Sequence, residues 1–345
     1  LAAWDGPAGS IEIGHLCRDG AEVPMEVSVA TVEFHGQPAA CDIARDERVV
    51  LLTADLGFGA LEPFSERFPD RFYNVGVAEQ NMIGIATGLA EAGYVPYAYS
   101  IASFASMRPY EFIRNGPVLH NLPVRIVGMG GGFDYGTNGL THYALEDIAI
   151  MRAQPDLHVL APADRNQVPA AFRALRSVPG PAYLRLERGG QPVPGLDREK
   201  PIDDCQVVRR GTDILLVAMG GITHEALRAA DLLAEAGISA GVVVVATVSP
   251  PPRAGLRSIL SAAPLVVTVE SHYVAGGLGS LVCELVAESG LVASVLRCAV
   301  ARHPRGETGS QSALHRAHGL DGKEIARRAT EALARGGSRP IEGGA

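Results

Sequence analysis

The sequence predicts an α/β protein of two domains, each a mostly parallel sheet flanked by helices. Three observations carry that expectation. Short apolar, β-branched runs alternate with stretches of helical spacing along most of the chain, the pattern of a parallel sheet covered on both faces. The 345 residues match two ordinary domains in length. A segment rich in Gly, Pro and charge, residues 189–204, divides the alternation into two blocks and reads as a linker. The expected organisation is an irregular leader over 1–25, a first domain over 26–188, the linker, and a second domain over 205–345.

The elements follow in order. Residues 1–25 mix Gly, Pro and isolated charges without periodicity. Over 26–44 the spacing is helical but holds Gly36 and Pro38, and an interior proline removes a donor and clashes with the preceding turn, so a broken helix is expected. Residues 48–53 (RVVLLT) form a buried strand with Asp55 in the loop at its end, and a short run at 71–75 follows. The stretch 78–92 is helical in spacing, and its small residues Gly84, Ala86 and Gly88 imply close packing against a neighbour. Strands at 94–99, 124–128, 157–161 and 182–186 then alternate with helices at 107–115, 145–152 and 167–176. In the second block strands at 213–218, 240–247 and 265–270 alternate with helices at 223–236, 253–262 and 277–288, and a helix over 322–335 closes it.

Composition narrows the function classes. Thirty Lys and Arg against 38 Asp and Glu give a net charge of −8, which argues against a nucleic-acid partner, since phosphate contacts need clustered cations. The five cysteines are scattered and never in C-x-x-C spacing, so no disulfide framework, zinc site or other metal site is suggested, and a reducing, cytoplasmic setting is expected. No apolar run has the length of a membrane span, and the N-terminal segment lacks the charged and apolar regions of an export signal.

Parallel α/β sheets bind ligands at the carboxyl ends of their strands, so the loops there are where chemistry is sought. In 74–82 (NVGVAEQNM) Glu79 opens an otherwise apolar helix. It is either a first-turn acid complementing the helix dipole or a buried carboxyl able to donate or share a proton, and the residues alone leave both open. In 100–104 (SIASF) the spacing makes Phe104 a core residue. The loop 128–142 (GMGGGFDYGTNGLTH) ends on His142, which has a titration range suited to proton transfer and lies among glycines, although a lone histidine is more often structural. Phe at position 133 breaks the G-x-G-x-x-G spacing and no helix of the needed length follows, so NAD binding is rejected there. No P-loop, HExxH or GxSxG element occurs.

Taken together, residues 53–56 (TADL), 75–90 (VGVAEQNMIGIATGLA), 107–115 (MRPYEFIRN), 139–142 (GLTH), 146–152 (EDIAIMR) and 162–164 (PAD) resemble the pyrimidine-binding domain of the transketolase family. Residues 268–280 (TVESHYVAGGLGS) are similar to that family's C-terminal domain, so the resemblance runs from 45 to 335. The AEQNM form of the glutamate motif most resembles the C-terminal, or β, subunit of split, two-chain transketolases.

The resemblance implies thiamine diphosphate as cofactor. It matches Glu79 to the carboxyl that hydrogen-bonds N1′ of the aminopyrimidine and promotes the imino tautomer, whose 4′-nitrogen removes the thiazolium C2 proton. Phe104 matches the aromatic stacked on that ring, Asp55 an aspartate at the cofactor edge, and His142 a histidine that meets substrate hydroxyls and the developing alkoxide. Arg188 matches a sugar-phosphate ligand. Family members hold the diphosphate and Mg2+ through a GDG motif in an N-terminal domain, and this chain contains no GDG. The implied partner is an N-terminal α subunit carrying that motif, in an α2β2 heterotetramer.

Departures from the family pattern bear on the substrate. Phosphate-binding positions and a funnel histidine fall on Val32, Gly59 and Gly130, leaving Arg188. Asn138 stands where relatives read hydroxyl stereochemistry with an aspartate, and Leu140 replaces a proline; an amide can still hydrogen-bond a hydroxyl but cannot act as a base. The expected function is the β subunit of a split transketolase-like enzyme that moves a two-carbon ketol unit from a ketose or ketose phosphate to an aldehyde or other acceptor, with a specialised sugar-type substrate. The alternatives are a decarboxylating subunit similar to 2-oxoacid dehydrogenase E1β or deoxyxylulose-phosphate synthase, and a non-catalytic assembly subunit, against which Glu79 and Phe104 argue.

Overall fold

The computed structural model describes residues 11–16, 22–27, 46–188 and 190–336. Strands β1 (Ile11–Leu16) and β2 (Glu22–Val27) pair antiparallel, Ile11 opposite Val27 and Leu16 opposite Glu22. Part of the segment expected to be irregular therefore forms two paired strands, consistent with the two-residue period of Ile11-Glu-Ile13. The broken helix expected over 26–44 loses its first two residues to β2, and the rest of it, Val32 included, lies outside the described residues.

The first sheet has seven strands. Six are parallel: β3 (Val49–Thr53), β4 (Phe72–Asn74), β5 (Val95–Ile101), β6 (Arg125–Met129), β7 (His158–Leu160) and β8 (Ala182–Leu186), in the order β7-β8-β6-β5-β3-β4. The helices between them are α1 (Glu62–Arg67), α2 (Glu79–Glu91), α3 (Ala102–Met107), α4 (Tyr110–Ile113), α5 (Asp147–Arg152) and α6 (Val168–Ser177). The second sheet comprises β9 (Gln206–Arg209), β10 (Ile214–Met219), β11 (Ala240–Val244), β13 (Leu265–Tyr273) and β14 (Ser294–Val300), in the order β14-β13-β10-β11-β9, parallel except for β9. Around it lie α7 (Thr223–Glu235), α8 (Arg253–Leu260), α9 (Leu278–Glu288), α10 (Gln311–Ala317) and α11 (Gly322–Gly336). Every residue of β3, β6, β8, β10 and β11 is buried, and β10 and β11 accordingly read as unbroken apolar runs, whereas β6 and β8 each bury one arginine, Arg125 and Arg185.

Three local differences from expectation have physical causes. The strand expected over 240–247 divides, because the backbone leaves β11 at Val245 and the next segment, β12 (Thr247–Ser249), pairs antiparallel with β7 in the first sheet. The second block thus supplies the seventh strand of the first sheet. The helix expected over 107–115 is also divided: α3 starts directly after β5, and Pro109, with no N–H to donate, separates it from α4 and a π turn over Arg114–Val118. The small residues of α2 do not form one packed stripe. Met82, Ile83, Ala86 and Ala90 face the core, whereas Gly84 and Gly88, four apart and so on one face, point outward.

Candidate active site

The carboxyl ends of β3, β4, β5 and β6 converge, and the side chains singled out in the sequence lie there. Asn74, at the end of β4, organises the first part. Its Oδ1 accepts from the backbone N–H of Asp55 at 3.1 Å and of Gly76 at 3.0 Å, and its Nδ2 donates to the Asp55 carboxylate at 2.9 Å. Asp55 sits at φ +57°, a left-handed turn that short polar side chains tolerate by bonding locally. The same asparagine therefore ties Asp55 to the turn that delivers Glu79.

Glu79 opens α2 and is 1% exposed. Both of its oxygens accept from Arg108 Nη1, at 3.0 and 2.9 Å, and Oε1 also accepts from the Ser100 hydroxyl at 3.3 Å. Arg108 lies four residues beyond Phe104, a spacing that brings two side chains to the same helix face, and its guanidinium carbon lies 3.8 Å from the centre of the Phe104 ring. Phe104 is half-buried and meets the edge of the His142 imidazole, with centroids 5.0 Å apart. His142 continues the row to Tyr135 at 6.2 Å, and the Arg188 guanidinium stands 5.1 Å from the Tyr135 ring centre.

The electrostatics differ along this row. Burial, reinforced by the Arg108 charge, holds the His142 pKa below the ordinary histidine value. Its Nδ1 is 2.9 Å from the Thr141 hydroxyl. Beside Arg188, burial pushes the Asp134 carboxyl up to about 6, against the opposing pull of the hydrogen bond it accepts from the Arg188 backbone N–H.

Glu79, Phe104, His142 and Arg188 are thus linked through contacts in one row. Asp55 is connected to it through Asn74, and Asn138 lies exposed at the rim, its Oδ1 3.4 Å from the Thr137 hydroxyl. Phe104, expected from spacing alone to be core, has one face covered by Arg108. Sequence reasoning passed over Arg108, Tyr135 and Asn74. The first carries a signal in its four-residue spacing from Phe104. The second leaves one at Gly130 (φ +87°), where a Cβ would lie 2.1 Å from the Tyr135 ring.

Residues 28–192 match the transketolase pyrimidine binding domain, and residues 203–325 match the transketolase C-terminal domain. The chain belongs to the transketolase family. It is 39% identical over 291 residues to a transketolase C-terminal section from Methanocaldococcus jannaschii, covering 83% of this chain and 91% of that one. It is 39% identical over 296 residues to a 6-deoxy-6-sulfo-D-fructose transketolase subunit from a Clostridium species, covering 84% and 90%. Among solved structures, a split-gene transketolase described as an inactive β4 tetramer superposes with a TM-score of 0.77 at 34% identity, over 89% of this chain and 98% of that one. The expectation of two transketolase-type α/β domains holds.

Glu79, Phe104 and Arg108 all fall within the transketolase pyrimidine-binding match. A flat, nitrogen-bearing group fits against the Phe104 ring and the Glu79 carboxylate, since the Arg108 guanidinium already makes both contacts. The aminopyrimidine of thiamine has that shape and that edge of nitrogen atoms. Among the described residues no group of three or more His, Cys, Asp and Glu side chains is placed to hold a metal ion. No helix among them is long and apolar enough to cross a membrane.

Proposed function

We propose that this chain is the C-terminal (β) subunit of a split, thiamine-diphosphate-dependent transketolase that transfers a two-carbon ketol unit from a ketose or ketose phosphate to an aldehyde-type acceptor. The observation that carries the reading is Glu79, a carboxyl 1% exposed at the opening of α2 and beside a half-covered aromatic face. Thiamine diphosphate, when bound, supplies a carbon nucleophile at its thiazolium C2. This chain's side chains would hold and orient the ring end of that cofactor and meet the substrate.

Glu79 would share a proton with the ring nitrogen N1′, and its burial would keep water from competing for that hydrogen bond. Phe104 orients the ring by stacking. In the tautomer whose Nδ1 accepts from the Thr141 hydroxyl, 2.9 Å away, His142 would carry its proton on Nε2 and could donate to the substrate oxygen on which charge develops. Arg188, standing over Tyr135 at the far end of the row, supplies positive charge for an anionic group at the distal end of the sugar. The diphosphate and Mg2+ fall to an N-terminal α subunit, in an α2β2 assembly working in the cytoplasm. The relatives that are themselves C-terminal sections or subunits, matched over nearly their full length, support an enzyme divided between two chains.

Co-expression with the partner subunit tests this. The complex is expected to transfer two carbons from a ketose or ketose phosphate without releasing carbon dioxide, with fructose 6-phosphate and xylulose 5-phosphate as the first donors to try, and the isolated chain to show negligible turnover. Carbon dioxide release from pyruvate would establish a decarboxylating subunit instead. In the complex, Glu79→Gln is expected to abolish deuterium exchange at the thiazolium C2 while leaving assembly intact; normal exchange in that variant removes the role given to Glu79.

A further inference from the structure

We propose that Arg108 is a resident stand-in for the cofactor's pyrimidine ring: its guanidinium fills the ring's slot before loading and swings out to solvent when thiamine diphosphate enters. This rests on the cofactor reading above. Its basis is the shape of the contact. A guanidinium is planar and donates N–H groups from its edge. Here it lies with its carbon 3.8 Å from the Phe104 ring centre while Nη1 donates to both Glu79 oxygens at 3.0 and 2.9 Å. A pyrimidine stacked on Phe104 with its N1′ edge on Glu79 needs the same volume and the same carboxylate lone pairs. The two groups exclude one another.

The two ends of the ion pair differ in freedom. The Glu79 side chain is 2% exposed and fixed at the start of α2, whereas the Arg108 side chain is 42% exposed. Arg108 follows α3 at the break made by Pro109, and its unbranched stem can carry the charge to water while the backbone stays in place. A buried carboxylate stripped of its partner is costly, so an unloaded subunit gains from keeping the arginine in the slot. Loading exchanges the arginine cation for a neutral heterocycle together with a proton from solvent, shared between Glu79 and N1′, so the carboxyl is not left as an unpartnered charge and the stacking face of Phe104 stays covered.

Arg108 also acts on its neighbour. Its charge is one of the two causes that hold the His142 pKa down, after burial. Departure of the guanidinium removes that repulsion, so filling the slot changes the electrostatics of the substrate-side histidine.

A group that must vacate a site lowers apparent affinity by the fraction of molecules in which the site is open. If the arginine occupies the slot in about nine molecules of ten, its removal tightens cofactor binding about tenfold. The experiment is titration calorimetry of thiamine diphosphate, with Mg2+ in excess, into the complex reconstituted with the N-terminal subunit, comparing wild type with Arg108→Ala. The variant is expected to bind about tenfold more tightly. Guanidinium chloride, kept below denaturing concentrations, is expected to compete with the cofactor in Arg108→Ala far more than in wild type, with sodium chloride of equal strength as control.

Equal or weaker binding by Arg108→Ala, or no selective competition by guanidinium, overturns the stand-in role and leaves the cofactor reading in place. Failure of the wild-type complex to bind the cofactor overturns both. If Arg108→Ala does not assemble, Arg108→Lys, which keeps the charge but loses the plane and one contact surface, is expected to bind the cofactor more tightly than wild type; unchanged or weaker binding there overturns the proposal as well.

Discussion

Two arginine–carboxylate pairs in the first domain have the same chemistry and opposite accessibility. Asp147 and Arg185, 3.5 Å apart where the two domains meet, have side chains 0% and 2% exposed. Tyr183 donates to Asp147 at 2.8 Å, and Arg185 donates to the Ser271 carbonyl of β13 at 2.8 Å, so both charges are fixed from several sides. In the Glu79–Arg108 pair only the acid is buried, and the base has a route to water. A buried charge whose partner cannot leave holds architecture together. A buried charge whose partner can leave is a binding site in waiting.

Substitutions sharpen or break this contrast. Asp147→Ala leaves Arg185 buried without a counter-charge and removes the acceptor of the Tyr183 hydroxyl, so denaturant unfolding is expected to show a loss of about 3–5 kcal/mol. A loss under about 1 kcal/mol would place the two pairs in the same class. Glu79→Gln is expected to behave in the reverse manner. Its stability should change by less than about 1 kcal/mol, because Arg108 can hydrate its charge. Cofactor C2 exchange in the same variant should be abolished. A melting temperature that falls as far as that of Asp147→Ala would show that Glu79 is structural.

Acid provides a smaller test of the junction. His272, 0% exposed on β13, accepts from the Ala149 N–H through Nε2 at 3.3 Å and meets the Tyr273 carbonyl through Nδ1 at 2.7 Å. That pattern requires the neutral imidazole, and burial pushes its pKa down to about 4 from the usual 6.5. The unfolded chain takes up a proton below about 6.5 that the folded chain refuses, so this contribution is complete above that pH and is lost as pH falls toward 4. Between pH 7 and pH 5 wild type should lose about 1–2 kcal/mol through this histidine, and His272→Gln should lose correspondingly less. An identical pH profile for the two proteins would remove His272 from the account.

The junction also explains the glycine run that superficially suggested a dinucleotide site. At Gly132 (φ +63°) a Cβ would lie 2.2 Å from the Ser271 hydroxyl, so the absent side chain is what lets β13 of the second domain approach this loop. The need for glycine at this position arises from a residue 139 positions away in the chain.

Much of the fold was legible because secondary structure here is written in short-range periodicity. Strands 49–53, 125–129, 182–186 and 214–219 and helices 79–91, 223–235 and 278–288 all lie close to their expected places. The elements passed over were short or at edges: β1, β2, α1, α3, β9, α10 and β14, the last of which starts with partly exposed residues and so lacks an apolar run. One of them had a readable start, since the Ser310 hydroxyl accepts from the Ala313 N–H and caps α10.

The sequence by itself determined the two alternating blocks, the strand-end loops, and the local motifs that hold Glu79, Phe104 and His142, because each depends on residues within a few positions of one another. Tertiary structure alone decided that β12 leaves its own block for the other sheet, that Asn74 clamps Asp55, and that Arg108 meets Glu79 from 29 residues away. Such contacts are chosen by how whole elements pack, and packing brings together residues whose separation along the chain carries no periodic signal.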